Sequence, residues 1–568
     1  MRLKRSIVVS VVVIVMLLSS VSAMAAPEPK LINVNADGAE GDYYVGSVPA
    51  GYDPSKPVIV FVHGMGGNAK SWWDKKCDSY NYAYNSGYRT AFVNFRDADG
   101  NPGDMWRNGS VLSQQLQQIC NYYKVSKVNL ICHSKGGVDS TSAIAHYGAN
   151  KYVDKVFTIS SPHWGSPLAD LCYTWQASWL AELMGHKNDA TYVLQTSYMK
   201  DYRKKTDSKS EIKEVKYYTS AGTDDGDLFS STWFGNLYLS SYGANDGVVL
   251  VESSKLPFGT HAFTAKYDHF SIRYAKNTWK LIEPYMRSYT KSSTLVSSSF
   301  SRVNAFENVL LAANDGFDLG QVLRNNLKLA PSNSSFSGEE NKPVNTAIDF
   351  DAAPINKEQN NILLRGGEID GSGVVEFPVE KSVKSIDLDF MASNSEVELN
   401  IISPDKKTYK LKSSSKDTAI FEGAYHFTKT LKSPKAGKWT VQVKSEDKTA
   451  YLMNVKFDSA VKAEIAIKDN KLKKGSKINL GIDVKNNGLT SEPLKKDQKI
   501  KTVITKSMPD GKNKKVKEII SENNKDKSSE YIDVPSEEGV YSISTDIKGT
   551  LEDGTEYERT VVKSIIVE

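Results

Sequence analysis

Ser134 is the residue whose type and surroundings most directly suggest chemistry. The run Val128-Asn129-Leu130-Ile131-Cys132-His133 has strand character and ends at this serine; Lys135, Gly136 and Gly137 follow, then a helix-compatible stretch from Val138 to Tyr147. A serine on a sharp strand-to-helix turn projects its hydroxyl away from the backbone, and the helix N-terminus below it offers free N–H groups to a developing oxyanion. The pattern is H-S-x-G-G, with Cys132 where the fuller G-x-S-x-G form has its first glycine. Taken alone, the pentapeptide also fits an ordinary Ser/Gly turn, so partners must be sought elsewhere.

A second glycine-rich loop, His63-Gly64-Met65-Gly66-Gly67-Asn68, leaves the apolar run Val58 to Val62. Such a loop can bring a backbone N–H close to a substrate, and the N–H of Met65 pairs naturally with that of Lys135 as two oxyanion donors. A nucleophilic serine also needs a base and an acid that orients it. Asp224 and Asp225 follow a strand-like segment at Lys216 to Ser220, and Asp246 lies in Asn245-Asp246-Gly247-Val248-Val249. Beyond them the histidines are His261, His269 and His426, the last in an all-β region, which leaves His269 or His261 as the base. The order Ser, Asp, His is that of α/β-hydrolases. The loop with Asp97, Asp99, Asn101 and Asp104 hints at calcium, but Gly100 is misplaced for a calcium loop, and no Cys/His spacing suggests zinc.

Strands must carry these residues, and helices must separate the strands. The spacing predicts helices over Ser71 to Tyr84 and Ser110 to Tyr123, and strands at Arg89 to Phe95 and Val153 to Ile159. Alternating strands and helices imply an α/β class with a doubly wound, mostly parallel sheet. After the last of these strands come Trp164 and a stripe of Leu168, Leu171, Trp175, Trp179, Leu183 and Met184. It reads either as a core helix or as a lid lining an acyl pocket, with Trp164, Trp175 and Trp179 as candidate substrate contacts.

Residues from about 40 to 290 resemble secreted bacterial lipases and esterases of the α/β-hydrolase family. The resemblance rests on H-G-x-x-G at His63 to Gly67, the H-S-x-G-G elbow, P-H-x-G-S at Pro162 to Ser166, Leu194 to Met199, and N-D-G-V-V at Asn245 to Val249. It implies Ser134 as nucleophile, Asp246 as acid and His269, 23 residues further on, as base. Ser271 stands where calcium-binding members of the family carry aspartate. No cofactor is expected, and a structural calcium stays open.

Residues 1–25 read as a signal peptide: basic Arg2, Lys4 and Arg5, an apolar core from Ile7 to Leu18, and small residues at Ala23-Met24-Ala25. Secretion, with no membrane span after cleavage, is therefore expected. The net charge of +5 includes three positive signal residues, leaving a nearly neutral chain that argues against nucleic-acid binding. The four cysteines, Cys77, Cys120, Cys132 and Cys172, allow up to two disulfides, with Cys132 expected to be a packed thiol. The expected domains are a hydrolase domain over 27–290, a helix-containing linker over 291–360, a β-sandwich over 361–460 and an Ig-like sandwich over 461–568. Period-two runs such as Ser385 to Phe390, Val397 to Ile402 and Trp439 to Val443 carry the sandwich reading. The sum is a lipase or carboxylesterase acting on lipid or ester substrates. Its tail would either bind a cell surface or polymer or act as a spacer. A polyester depolymerase with the same triad, and a hydrolase-fold adhesion protein without activity, are the alternatives.

Overall fold

Eight strands build the central sheet: β1 (Lys30–Ile32), β2 (Tyr43–Val45), β3 (Ile59–Val62), β4 (Thr90–Val93), β5 (Val128–His133), β6 (Val153–Ile159), β7 (Lys216–Gly222) and β8 (Thr260–Ala265). In this computed structural model, which describes residues 25–34, 38–179, 189–287, 361–467, 471–486, 498–510, 512–523 and 529–568, their order is β1-β2-β4-β3-β5-β6-β7-β8. The six strands from β4 to β8 in that order run parallel, while β1 and β2 are antiparallel additions at one edge. The apolar runs explain the topology: β3, β4 and β5 are buried at every position, as strands covered on both faces must be.

Three helical expectations are modified. Over 71–84 the chain forms a short 3-10 turn, Ala69–Trp72, and then a separate helix, Ser79–Asn85. Between them the Asp74 carboxylate accepts the N–H groups of Lys76 and Cys77, a local turn that competes with helix. The stripe after Trp164 is not one continuous helix: it is helical over Pro167–Cys172, breaks at a turn from Tyr173 to Ala177 and is helical again at Ser178 and Trp179; Leu183 and Met184 lie outside the described residues. The Met105–Tyr123 helix starts earlier than the apolar spacing implies because Asp104 caps it, accepting from the Arg107 N–H at 2.8 Å.

From Ile362 onward every element among the described residues is a β-strand. One sheet is β10 (Ser372–Val379), β16 (Gly437–Ser445), β12 (Val397–Ile402) and β13 (Thr408–Leu411) in that order, and the other is β14 (Ser413–Lys416), β15 (Tyr425–Lys432), β11 (Ser385–Ala392), β17 (Thr449–Asp458) and β9 (Ile362–Ile369); they face each other across a core that includes Phe377, Leu388, Phe390, Trp439 and Val455. A sheet of β18 (Val461–Ile467), β20 (Lys477–Asn486) and β23 (Ser529–Asp533) and another of β19 (Lys471–Leu472), β25 (Glu556–Val567), β24 (Gly539–Thr550), β21 (Gln498–Lys506) and β22 (Lys514–Asn523), each in that order, enclose a second core with Ile478, Leu480, Ile543 and Val561. All pairings here are antiparallel apart from the short contact of β19 (Lys471–Leu472) with β25 (Glu556–Val567). The α/β fold followed by two all-β sandwiches is thus as the sequence implied. The sandwiches pack with the α/β domain as one unit. A shared apolar cluster joins Trp164, Leu168, Leu171, Phe234 and Tyr238 to Ile362, Leu364, Phe421 and Leu452. Among the described residues no helix is long and apolar enough to cross a membrane. The signal segment up to Met24 and the linker, with its expected helix near Phe306 to Leu329, lie outside the described residues.

Candidate active site

Ser134 sits between β5 and the helix Lys135–His146 with φ 53° and ψ −133°, a strained conformation for a residue with a Cβ. The turn is tolerated because its neighbours have no side chains to collide. A Cβ on Gly136 would lie 2.4 Å from the His63 carbonyl oxygen, and one on Gly64 would lie 2.8 Å from Ser134 Cβ. Cys132, in place of the first glycine, is a fully buried thiol 3.1 Å from Ser140 Oγ, with its pKa pushed up to about 12 by burial. Cys77 and Cys120 are likewise buried and form no disulfide.

Ser134 Oγ lies 3.0 Å from His269 Nε2, and His269 Nδ1 lies 2.9 Å from Asp246 Oδ2. A carboxylate only accepts, so Nδ1 carries the proton and Nε2 is left to accept from the serine hydroxyl. Asp246 is itself oriented: its Oδ1 takes the N–H groups of Val248 (3.0 Å) and Val249 (2.8 Å), and its carbonyl accepts the His269 N–H at 3.0 Å. Asp246 and His269 are 1% and 3% exposed, so their contact is shielded from water. The other candidates are engaged elsewhere. Asp225 accepts from Asn236 Nδ2, Asp224 from the Gly226 N–H, and His261 sits between Thr219 and Thr264 hydroxyls.

Two further histidines hold the surroundings. His133 Nε2 donates to the His269 carbonyl at 2.8 Å, and burial, with His269 adding, holds its pKa well below the usual value, so it is a neutral prop. His63 accepts the Phe95 N–H at Nε2 and donates from Nδ1 to the Gly64 carbonyl, steadying the loop that carries Met65. Met65 is 38% exposed, and its sulfur accepts from Thr191 Oγ1. Lys135 begins the helix after Ser134, so its N–H lies at the helix N-terminus.

The tryptophans make other contacts. Trp164 is buried in the cluster shared with the C-terminal strands, its indole N–H donating to the Lys255 carbonyl at 3.0 Å. Trp175 lies under Lys501, 5.3 Å from Nζ to ring centre, and Trp179 donates to the Tyr451 carbonyl at 2.8 Å. In the Asp97 to Asp104 loop the carboxylates already serve N–H groups: Asp97 those of Gly66 and Gly103, Asp99 those of Ala39 and Glu40, and Asp104 that of Arg107. Ser271 hydrogen-bonds to the Asp268 carboxylate. Among the described residues no three metal-type side chains cluster. Sequence reasoning passed over Asn108 and Asp139, buried beside the elbow, which carry no motif of their own.

A family model described as α/β hydrolase fold matches residues 57–257. Triacylglycerol lipase 2 of Saccharomyces cerevisiae is 30% identical over 171 residues, taking in 29% of this chain and 52% of that enzyme. A triacylglycerol lipase of Burkholderia plantarii is 30% identical over 125 residues, 21% of this chain and 33% of that enzyme. The chain thus spans about half of the first lipase and a third of the second. The crystal structure of Bacillus licheniformis lipase BlEst2 in its propeptide form matches 93% of this chain and 98% of its own, with 27% identity and a TM-score of 0.68. The mature form of the same lipase matches 44% of this chain and all of its own, with 41% identity and a TM-score of 0.42. On its sheet order, the family model and the likeness to BlEst2 in its propeptide form, the chain has the α/β-hydrolase fold and is similar to lipases.

Proposed function

We propose that this protein is a secreted serine carboxylic-ester hydrolase, a lipase or carboxylesterase with lipid or ester substrates and no cofactor. The observation that carries the reading is the continuous contact of Ser134, His269 and Asp246 on a strained elbow. Ser134 Oγ attacks the ester carbonyl as His269 Nε2 takes its proton, and Asp246 holds the tautomer and stabilises the imidazolium. The oxyanion is bound by the N–H groups of Met65 and Lys135. His269 then protonates the leaving alcohol, and water attacks the acyl-enzyme by the reverse proton path.

The test is hydrolysis of p-nitrophenyl esters from C2 to C16 by the wild type and by Ser134→Ala. Loss of at least ~10³-fold in kcat, with the melting temperature retained, is expected; wild-type turnover by the variant would refute the nucleophile. A peak at long chains marks a lipase, and short chains only an esterase. A polyester depolymerase would use the same residues and show its preference on polymer film. Failure of Ser134 to react with a fluorophosphonate would favour an adhesion protein.

For the C-terminal sandwiches we propose a pro-region rather than a spacer or polymer-binding module. The likeness to BlEst2 in its propeptide form takes in nearly the whole chain, and Trp179 and Phe234 are engaged by Tyr451 and His426. Proteolysis that frees the first 290 residues should raise activity on long-chain esters. Equal activity before and after cleavage would return the sandwiches to the spacer or surface-binding readings.

A further inference from the structure

The nucleophile's neighbour Lys135 has a fully buried side chain, with Nζ 2.6 Å from Asp139 Oδ1. Asp139 Oδ2 accepts from Asn108 Nδ2 at 3.2 Å, and the same amide nitrogen donates to Asp97 Oδ2 at 3.1 Å. Asp97 Oδ1 in turn accepts the Gly66 N–H at 3.1 Å, and its Oδ2 accepts the Gly103 N–H at 3.3 Å. Gly66 follows Met65 directly. The chain of contacts therefore starts on the residue carrying one proposed oxyanion donor and ends next to the residue carrying the other. Lys135, Asp139, Asn108 and Asp97 are all nine-tenths or more buried.

Stability alone does not account for this arrangement. Burying an ammonium and two carboxylates costs desolvation energy that an apolar cluster of equal volume would not incur. Direction is what the polar chain adds. Both hydrogens of the Asn108 amide are committed to carboxylates, while its Oδ1 has no partner among the described residues. Turning the amide over would set an oxygen against two carboxylates, so Asn108 has one orientation and acts as a joint of fixed length.

We propose that Lys135, Asp139, Asn108 and Asp97 are positioning residues that fix the separation of the Met65 and Lys135 N–H groups across the oxyanion. The inference rests on the Ser134 reading above. Its physical content is that the donors must lie about 2.7–3.1 Å from the oxyanion position rather than from the ground-state carbonyl. Loosening the joint therefore weakens transition-state binding and leaves ester binding nearly intact.

The experiment uses the full chain with Asn108→Leu, a substitution that keeps the number of side-chain heavy atoms and removes both donors. Active sites are counted by exhaustive fluorophosphonate titration, and kcat and KM for p-nitrophenyl butyrate are taken per titrated site. Affinity for an alkyl boronic acid, which forms a tetrahedral adduct with serine, is measured alongside. Expected are a fall in kcat per site of about 10- to 100-fold, a matching loss of boronic-acid affinity and KM within about threefold. A merely structural role would lower the melting temperature or the number of titratable sites but not the rate per site. Values of kcat per site and boronic-acid affinity within about twofold of wild type overturn the proposal. Should Asn108→Leu fail to fold, Asp139→Asn sets one amide against the other at unchanged volume; it carries the same expectation, and parity with wild type overturns the proposal equally. Ser134→Ala, run in parallel, reports separately on the nucleophile: wild-type turnover there removes the active-site reading and this inference with it.

Discussion

His426, on the C-terminal strand Tyr425–Lys432, is 1% exposed yet faces two carboxylates. Its Nδ1 lies 2.9 Å from Asp389 Oδ2, and its Nε2 lies 3.4 Å from Asp417 Oδ2. Its ring stacks on Phe234 of the α/β domain with centroids 3.5 Å apart, and Phe421 meets it edge-on. Asp417 also accepts from Ser231 Oγ at 2.8 Å, so the charged cluster spans the junction between the α/β domain and the first sandwich. Burial pulls the imidazole pKa down, but Asp389 and Asp417 outweigh it and raise it from 6.5 to about 9. A raised native pKa adds stability that is fully present below the unfolded value of 6.5 and disappears as pH climbs through about 9. At about 1.4 kcal/mol per tenfold, the interval corresponds to ~3 kcal/mol. The perturbation is His426→Gln, which leaves the carboxylates without a cation. The assay is urea unfolding of the full chain followed by tryptophan fluorescence at pH 6, 8 and 10. Taking the wild-type minus variant difference at each pH cancels groups common to both. That difference should be about 3 kcal/mol at pH 6, smaller at pH 8 and close to zero at pH 10. A difference that stays level from pH 6 to 10 would refute an imidazolium between the carboxylates.

Three further outcomes follow from the site geometry. Asp246→Asn should lower kcat by about 10⁴-fold, because the amide cannot hold the Nδ1–H tautomer. Asp225→Asn, altering only a contact to Asn236, should keep kcat within about threefold; reversed results in the ester assay would exchange the two acids. Gly136→Ala places a Cβ 2.4 Å from the His63 carbonyl and 2.9 Å from that of Val62. It should cost about 1–3 kcal/mol in urea unfolding and reduce kcat as the elbow and the Met65 loop are pushed apart; an unchanged midpoint and rate would refute that contact.

The centre of the sheet was legible because its strands carry largely apolar, buried runs, whereas β1, β2 and β8 are short or polar and carried no such signal. The runs ending at Val62, His133 and Ile159 appear as adjacent strands β3, β5 and β6. Ser134 and Asp246 were legible as candidates because each sits in a recognisable turn phrase, and His269 because few histidines follow them and because of its spacing from Asp246. Their mutual distances were not, since they depend on how β7, β8 and their loops bring residues more than a hundred positions apart together. Asn108 and Asp139 were invisible for a different reason. Each is a polar residue inside a helix, where a polar residue ordinarily faces water, and the packing of helix Met105–Tyr123 against helix Lys135–His146, which is buried from Lys135 to Ala145, turns both inward. The tryptophan stripe was ambiguous because apolar periodicity reports a buried face without naming what covers it. Here its covering surface comes from strands nearly three hundred residues later.

The helix Ser231–Leu239 shows why the two halves of the chain constrain each other. On one side it supports the loop of Asp246: a Cβ on Gly235 would overlap the Gly247 carbonyl at 1.9 Å, and Asn236 Oδ1 accepts from Asn245 Nδ2 at 2.9 Å. On the other side Phe234 stacks on His426, and Ser231 donates to Asp417. Nine residues therefore have to satisfy the acid loop and the sandwich at once. Gly235 follows from the first demand, because no side chain fits there. Phe234 follows from the second, because a flat apolar face is needed against an imidazole whose edges are both occupied by carboxylates. A substitution at either position is thus read by both halves, and the helix ties the orientation of Asp246 to the seating of strands that contribute no residue to the Ser134–His269–Asp246 contact.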